Sequence, residues 1–423
     1  MNVCVIGTGG REHTLAWRLN MSPSVDTVYA IPGSAAMTDV ATVVDMKWQD
    51  TDALVTFLRD HDVKLVVVGP EAPLVAGLSD TLVAAGFPVF GPSKVAAQLE
   101  GSKVFAKDMM KKYDIPTAAY GVYSNPVEAK KFIAETGAPI VIKADGLAAG
   151  KGVVVAMTLD EANAAVDDML EGNRFGDAGS TVVIEEFMVG EEASLLAFAD
   201  GKTVVPMIAS QDHKRIFDND EGPNTGGMGT YAPAPVLTEE LRDQAMETIL
   251  KPMMAAMAAE GMPYVGCLYA GLMITDQGCR VVEFNARFGD PETQVVLPLL
   301  DGDLGEIMLA CAQGKLDASM VNWKNSYATC VIMASKGYPE TSSKNDVING
   351  DLSTTDNSMI FHSGTKLDGD HFVTNGGRVL GVVGLGESLQ EALDVSYARV
   401  NGITFDGMQF RKDIGQKAFK HLK

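Results

Sequence analysis

The sequence predicts a multidomain α/β and α+β protein. A parallel α/β domain covers residues 1–101, a larger core covers 102–322 with a small subdomain at about 118–190, and a mixed β/α module covers 323–423. Three observations lead there. A chain of 423 residues exceeds what one hydrophobic core serves, so several packed units are expected. The first hundred residues alternate short apolar runs with helical patterning, the mark of a parallel sheet. Further along, long strands follow one another without intervening helices, as antiparallel sheets do.

Taken in order, MNVCVIG, TVYAI, KLVVVGP and FPVFGP read as strands, with EHTLAWRL and TDALVTFLRDH as helices between them. Gly69-Pro70 and Gly91-Pro92 end two of the strands and put functional loops at one edge of the sheet. A helix is expected from about Ser93 to Tyr113, closed by Ile115-Pro116. From Pro139, PIVIK, a glycine-rich loop and VVVA make two strands flanking a turn. DEANAAVDDML and TVVIEEF complete a small α+β unit near Gly190. ASLLAFA, TVVPMIA, YAGLMIT and CRVVEF form the larger sheet. After Asn322, YATCVIMAS, MIFHSGTKL, HFVTNGGRVLGVVG and the helix ESLQEALDVSYARV form the terminal module.

Composition excludes several classes. A net charge of -21 argues against a nucleic-acid partner, because such binding draws on clustered Lys and Arg. No window approaches the roughly 18 consecutive apolar residues of a membrane span, and no signal segment is visible. Cys4, Cys267, Cys279, Cys311 and Cys330 show no metal-finger spacing, so buried free thiols in a reducing cytoplasm are expected.

Six stretches carry chemistry. GTGGREH follows the first strand and opens a helix, so N–H groups at Gly7, Gly9 and Gly10 could hold an anion; a merely tight turn explains the same glycines. A dinucleotide site is disfavoured because its third glycine falls at Glu12 and the second strand ends in Pro32-Gly33 without a ribose-binding acid. In IVIKADGLAAGKGVVVA, Gly146 and Gly150 enclose three residues and a strand follows Lys151-Gly152, so this is a hairpin lid over phosphates and not a Walker loop. Lys143 supplies a fixed cation there. TVVIEEFMVGEEAS offers a backbone edge for adenine and, at Glu192, a carboxylate for ribose hydroxyls.

In VVEFNARFGDPETQ the two-residue strand period puts Glu283, Asn285 and Arg287 on one face: two oxygen ligands for Mg²⁺ and a guanidinium for a transferring phosphoryl group. A Glu283–Arg287 salt bridge is the structural alternative. Asp290 and Glu292 stand at the strand's exit. SQDHKR places Asp212, His213, Lys214 and Arg215 ahead of GPNTGGMG, whose backbone N–H groups, at Gly226, Gly227 and Met228 among others, could wrap a small ligand; a satisfied turn is the competitor. TNGGR reads as an Asn-Gly hairpin turn, leaving Arg378 as a candidate phosphate clamp.

Together and in this order, these motifs resemble the ATP-grasp superfamily, and within it the glycinamide ribonucleotide synthetase family. VGPEAPLVAGL, QLEGSKVFAK, GDAG, YAPAP and KDIG add to the match, which runs over nearly the whole chain; SQDHKR with GPNTGGMG and EFNARFGDPETQ is the specific part. The resemblance implies a pre-ATP-grasp N-terminal domain, an ATP-grasp core with its lid, and ATP-dependent ligation of glycine to 5-phosphoribosylamine through glycyl phosphate, a step of de novo purine biosynthesis. It implies nucleotide contacts at Lys103, Lys143, Gly146, Gly150, Lys151, Gly152, Glu185, Glu186, Phe187, Met188 and Glu192, and Mg²⁺ or Mn²⁺ at Glu283 and Asn285. The additional acid with which many ATP-grasp enzymes hold metal aligns with Gly271. The phosphoribosyl group falls to Gly9, Gly10, Arg11, Glu71 and Arg378, with Gly226, Gly227, Met228 and Asp212 also at the substrates. Lys143 and Arg287 act on the transferring phosphoryl; Asp212, His213, Asp290 and Glu292 are all candidate general bases. A cytoplasmic monomer is expected. Another ATP-grasp carboxylate–amine ligase, a biotin-dependent carboxylase subunit, a nicotinamide oxidoreductase and a nucleotide-binding regulator are the competing readings.

Overall fold

The computed structural model describes residues 1–147, 152–172 and 180–422. Its N-terminal sheet has five parallel strands in the spatial order Thr42–Val43, Thr27–Pro32, Asn2–Gly7, Val63–Val68, Val89–Phe90. The unbroken apolar runs make sense here: Cys4, Ile6 and Val66 feed one core cluster while Val3, Val5 and Leu65 feed another, so both faces are covered. Strand order reverses between Asn2–Gly7 and Val63–Val68. A crevice therefore opens beyond Gly7 and Gly69, the usual place for a ligand in such a sheet.

The helix expected over 93–113 is two helices, Gln98–Gly101 and Lys103–Lys112. Ser102 breaks it: its backbone is extended, and its hydroxyl accepts the Phe105 N–H at 3.1 Å, restarting the helix with a new cap. The break brings Glu100, Lys103 and Lys107 to the walls of one cavity.

The small subdomain is a four-stranded antiparallel sheet in the order Tyr120–Tyr123, Val182–Glu186, Ile140–Ala144, Val153–Ala156. Helices Pro126–Thr136 and Leu159–Leu170 back it with a core of their own, built on Ile133, Ile140, Ile142, Val166 and Ile184. A unit with a separate core can move as a body. The larger sheet is antiparallel, in the order Val204–Pro206, Glu191–Asp200, Val265–Thr275, Gly278–Asn285.

The last third of the chain does not close a sheet alone. Its strands Tyr327–Ala334, Arg378–Gly386 and Ser358–His362 are extended by Gly229–Ala232 and Gln211–Asp212, giving one five-stranded antiparallel sheet under helix Leu389–Asn401. TNGGR is not a hairpin turn. His371–Thr374 pairs back with Thr365–Asp368, whereas Arg378–Gly386 pairs with two other strands, so the segment crosses between sheets. Its glycines have a different reason: a Cβ on Gly364 would come within 2.7 Å of the Gly376 Cα, so the two backbones meet only if both lack side chains.

All five cysteines are buried free thiols. No helix among the described residues is long and apolar enough to cross a membrane.

Candidate active site

One cavity of about 360 Å³ takes its walls from all three parts of the chain, from Arg11 to Arg378. Strand Ile140–Ala144 delivers Lys143, whose ammonium lies 2.9 Å from Glu185 and donates to the Val282 carbonyl at 3.0 Å. Lys107, from helix Lys103–Lys112, reaches the same Glu185 oxygen at 3.1 Å. Burial pulls the Lys107 ammonium down to about 8 against the attraction of Glu185. Two lysines on one carboxylate leave a net positive charge, and the second Glu185 oxygen is buried with no hydrogen-bond partner. Lys103 donates to the Gly146 carbonyl at 2.9 Å, tying the first glycine of the hairpin to this cluster.

Glu283, Asn285 and Arg287 all line the cavity, while Phe284, Ala286 and Phe288, which alternate with them, are buried, Phe284 with an edge on the cavity as well. The strand pairing stops at Asn285, yet the alternation runs on to Phe288. Burial pushes the Glu283 carboxyl up, but Lys214, Lys143, Lys103 and Arg287 outweigh it and hold it at about 2. Arg287 does not close on Glu283. It pairs with Glu71 at 3.2 Å and Glu100 at 2.8 Å, so the salt-bridge alternative falls. Gly271 stands directly opposite Glu283, and a Cβ there would sit 3.3 Å from the Glu283 Cγ. Among the described residues no three acids, histidines or cysteines converge as a metal site.

Arg11 is buried, donates to Glu12 at 2.7 Å and to the Phe288 carbonyl at 3.0 Å, and lies 3.7 Å from Glu71. Arg378 donates to the carbonyls of Gly226 and Asp290, both at 2.7 Å, and lies 3.4 Å from the Asp290 carboxylate. Burial raises the Asp290 carboxyl, but Arg378 and Arg11 more than compensate, leaving it lowered. Asp212 behaves oppositely: burial and the nearby Glu292 raise it well above the carboxylate range, against Lys214 and Arg378. Glu292 is anchored by Ser194 at 3.1 Å and Tyr269 at 2.9 Å.

Several expected ligand groups are committed elsewhere. The Gly9 N–H goes to Glu12 at 2.7 Å, and Gly9 and Gly10 lie outside the cavity wall; the Glu12 side chain fills the space that Cβ atoms on Gly7 or Gly69 would need. The loop Gly226–Met228 does not offer free donors either. The Gly226 N–H goes to the Tyr338 hydroxyl at 3.0 Å, that of Gly227 to Thr225 at 3.0 Å, and that of Met228 to the His213 carbonyl at 2.8 Å. Only Gly226 of the three lines the cavity. Gly227, at φ +119°, is required because a Cβ would strike Pro291 at 2.5 Å and Asp212 at 2.7 Å. His213 is no candidate base: it is buried, with one ring nitrogen against the Gly229 carbonyl and the other accepting from Gly415, and burial takes it down to about 4. Of Glu185–Met188 only Glu185 lines the cavity; the Glu186 side chain turns to Arg280. Glu192 borders a smaller adjoining recess. Gly152 is in the wall, and Gly150 and Lys151 lie outside the described residues. Sequence reading gave no role to Lys107 or Glu100, whose position depends on the Ser102 break, nor to Lys214, 3.7 Å from Glu283.

A lysine-rich cleft under a separate hairpin subdomain, with a carboxylate and an amide presented by an adjoining strand, defines an ATP-grasp protein. The chain belongs to the phosphoribosylglycinamide synthetase family: the models of its N domain, ATP-grasp (A) domain and C domain match residues 1–100, 101–293 and 328–417. It is 51% identical over 426 residues to the phosphoribosylamine–glycine ligase of Neisseria meningitidis serogroup A, covering 99% of each chain. Among solved structures it is similar to the phosphoribosylamine–glycine ligase of Thermotoga maritima, with a TM-score of 0.86, 33% identity and coverage of 98% of this chain and 100% of that one. The biotin carboxylase domain of Hydrogenobacter thermophilus 2-oxoglutarate carboxylase shares the fold alone, at TM-score 0.73 and 15% identity, over 97% of this chain and 91% of that one.

Proposed function

We propose that this chain uses ATP to join glycine to 5-phosphoribosylamine through glycyl phosphate, giving glycinamide ribonucleotide, ADP and phosphate. The observation that carries the geometric side of this reading is that one cavity holds both a lysine cluster fit for nucleotide phosphates and an arginine-bearing wall fit for a second, phosphorylated substrate. Lys103 and Lys143 take the ATP phosphates, helped by the lid from Gly146 to Gly152. The unpartnered Glu185 oxygen accepts from the adenine amino group, and the backbone to Met188 and the Glu192 carboxylate complete the nucleoside contacts.

Glu283 and Asn285 suit a hard divalent cation, Mg²⁺ or Mn²⁺, because they offer oxygen donors on one face and Glu283 stays ionised. Two side chains are an incomplete shell, which nucleotide phosphates and water would complete. Such a cation, when bound, neutralises charge on the transferring phosphoryl group. Arg287 adds a second positive group there, held in place by Glu71 and Glu100. Arg11 and Arg378 receive the phosphoribosyl phosphate, with Glu71 near its hydroxyls. With His213 set aside, Asp212 faces the cavity with its carboxyl raised by burial and the nearby Glu292, which strengthens it as a proton acceptor, so it takes the proton from the incoming amine. The hairpin keeps water from the acyl phosphate. The domain limits at 101/102 and 322/323, a cytoplasmic location and a monomeric state belong to the same proposal.

The test is ADP release with glycine and 5-phosphoribosylamine supplied singly and together. Release that requires both substrates is expected; release with bicarbonate and biotin instead would move the chain to the carboxylases.

A further inference from the structure

Lys214 has no part in that reaction scheme, yet it stands at its electrostatic centre. Its backbone is pinned: the Lys214 carbonyl accepts from the Thr225 N–H at 2.7 Å and hydroxyl at 2.8 Å, and its neighbour His213 is locked by both ring nitrogens. The side chain is not pinned. Its ammonium lies 3.7 Å from Glu283 and 3.8 Å from Glu192, beyond hydrogen-bond range of either, so it is held by the field between two carboxylates and can leave without breaking a directed bond. Lys214 lines both the main cavity and the adjoining recess that holds Glu192 and Gly271.

A divalent cation on Glu283 would have to approach its oxygens to about 2.0–2.6 Å. At that distance it would meet the ammonium already facing the same carboxylate, and like charges so close in a shielded cleft repel strongly. The described residues supply few ligands to offset this, since Glu283 and Asn285 are only two, Gly271 contributes none, and Glu192 already faces the same ammonium.

We propose that Lys214 is a resident counter-ion for the metal carboxylate. In the nucleotide-free protein its ammonium neutralises Glu283 and Glu192 and keeps a divalent cation off them, and the phosphates of an arriving nucleotide draw it away as they bring the metal in. Metal and nucleotide thus load together, and the empty enzyme does not trap a bare cation. This rests on the reading of Glu283 and Asn285 as the metal platform.

The experiment is titration of Mn²⁺ into the full-length protein, with free Mn²⁺ followed by electron paramagnetic resonance, first without nucleotide. Lys214→Met should bind about tenfold more tightly than the parent, because it removes the nearest positive charge and keeps the length of the side chain. Lys214→Arg should bind as weakly as the parent, and Glu283→Gln placed on top of Lys214→Met should abolish the gain. With a non-hydrolysable ATP analogue present, parent and Lys214→Met should converge. If Lys214→Met binds no better than the parent without nucleotide, or if its gain survives Glu283→Gln, the counter-ion role is wrong. The platform reading fails separately, if Glu283→Gln leaves Mn²⁺ binding unchanged in the presence of the analogue. Lys214→Gln answers the same question if far-ultraviolet circular dichroism shows that Lys214→Met does not fold.

Discussion

Asp212 and Asp290 were equal candidates as residues in a string, and their surroundings separate them. Both line the cavity and both meet Arg378, but Asp290 is lowered by Arg378 and Arg11 while Asp212 is raised by burial and Glu292. A base must be deprotonated to act, so the rate should fall as pH drops through the raised Asp212 value. Asp212→Asn should lose that acid limb and run about 10²- to 10⁴-fold more slowly, which a pH–rate profile of both proteins checks. Profiles of the same shape would remove Asp212 from the mechanism. The residues that local spacing could show were Glu283, Asn285 and Arg287, since a period of two needs no knowledge of the rest of the chain. Glu100, Lys107 and Lys214 depend on partners between 69 and 187 positions away, such as Arg287, Glu185 and Glu283, which no local pattern encodes.

Helix Gly10–Asn20 shows the same limit at the scale of an element. Its position after the first strand was legible, and so was the oddity of Glu12 where a third glycine belongs. The structure supplies the reason: the Glu12 carboxylate takes the Gly9 N–H and the Arg11 guanidinium, and its side chain occupies the space left by Gly7 and Gly69. The positive helix end is thereby satisfied from within, and Arg11 is held toward Glu71. Glu12→Ala should cost about 3 kcal/mol, since it removes a cap and a buried ion-pair partner together. Urea denaturation measures this, and an unchanged midpoint would mean that Glu12 merely fills space. The Ser102 break was hidden because Ser is tolerated inside helices, and only its capping bond to Phe105 reveals it.

For the whole molecule, Arg378 is the most informative single group, because it crosses from the terminal third of the chain to the loop at Gly226 and to Asp290. Arg378→Lys keeps the charge but loses the planar fork, in which one nitrogen holds both carbonyls while the other faces the Asp290 carboxylate and is open to a phosphate, so the apparent KM for 5-phosphoribosylamine should rise about tenfold or more while that for ATP changes little. Steady-state kinetics with each substrate varied in turn decides it, and equal effects on both would mark Arg378 as a general brace. The three-part plan was readable from strand and helix periodicity. That one sheet draws strands from residues 211–232 as well as 327–386 was not, because such pairings join segments far apart in sequence.

That shared sheet sets the order in which a newly made chain can complete itself. Gly229–Ala232 leaves the ribosome with its partner strand Tyr327–Ala334 not yet made, and Arg378–Gly386, which carries Arg378, comes later still. At ordinary synthesis rates the wait is on the order of ten seconds. Through it, the parallel domain and the hairpin subdomain have every strand they need, but the wall formed by Asp212, Gly226 and Arg378 does not. The cleft becomes whole only once the strand that carries Arg378 has been made, so a chain released before it holds the nucleotide lysines without the arginine that completes the wall.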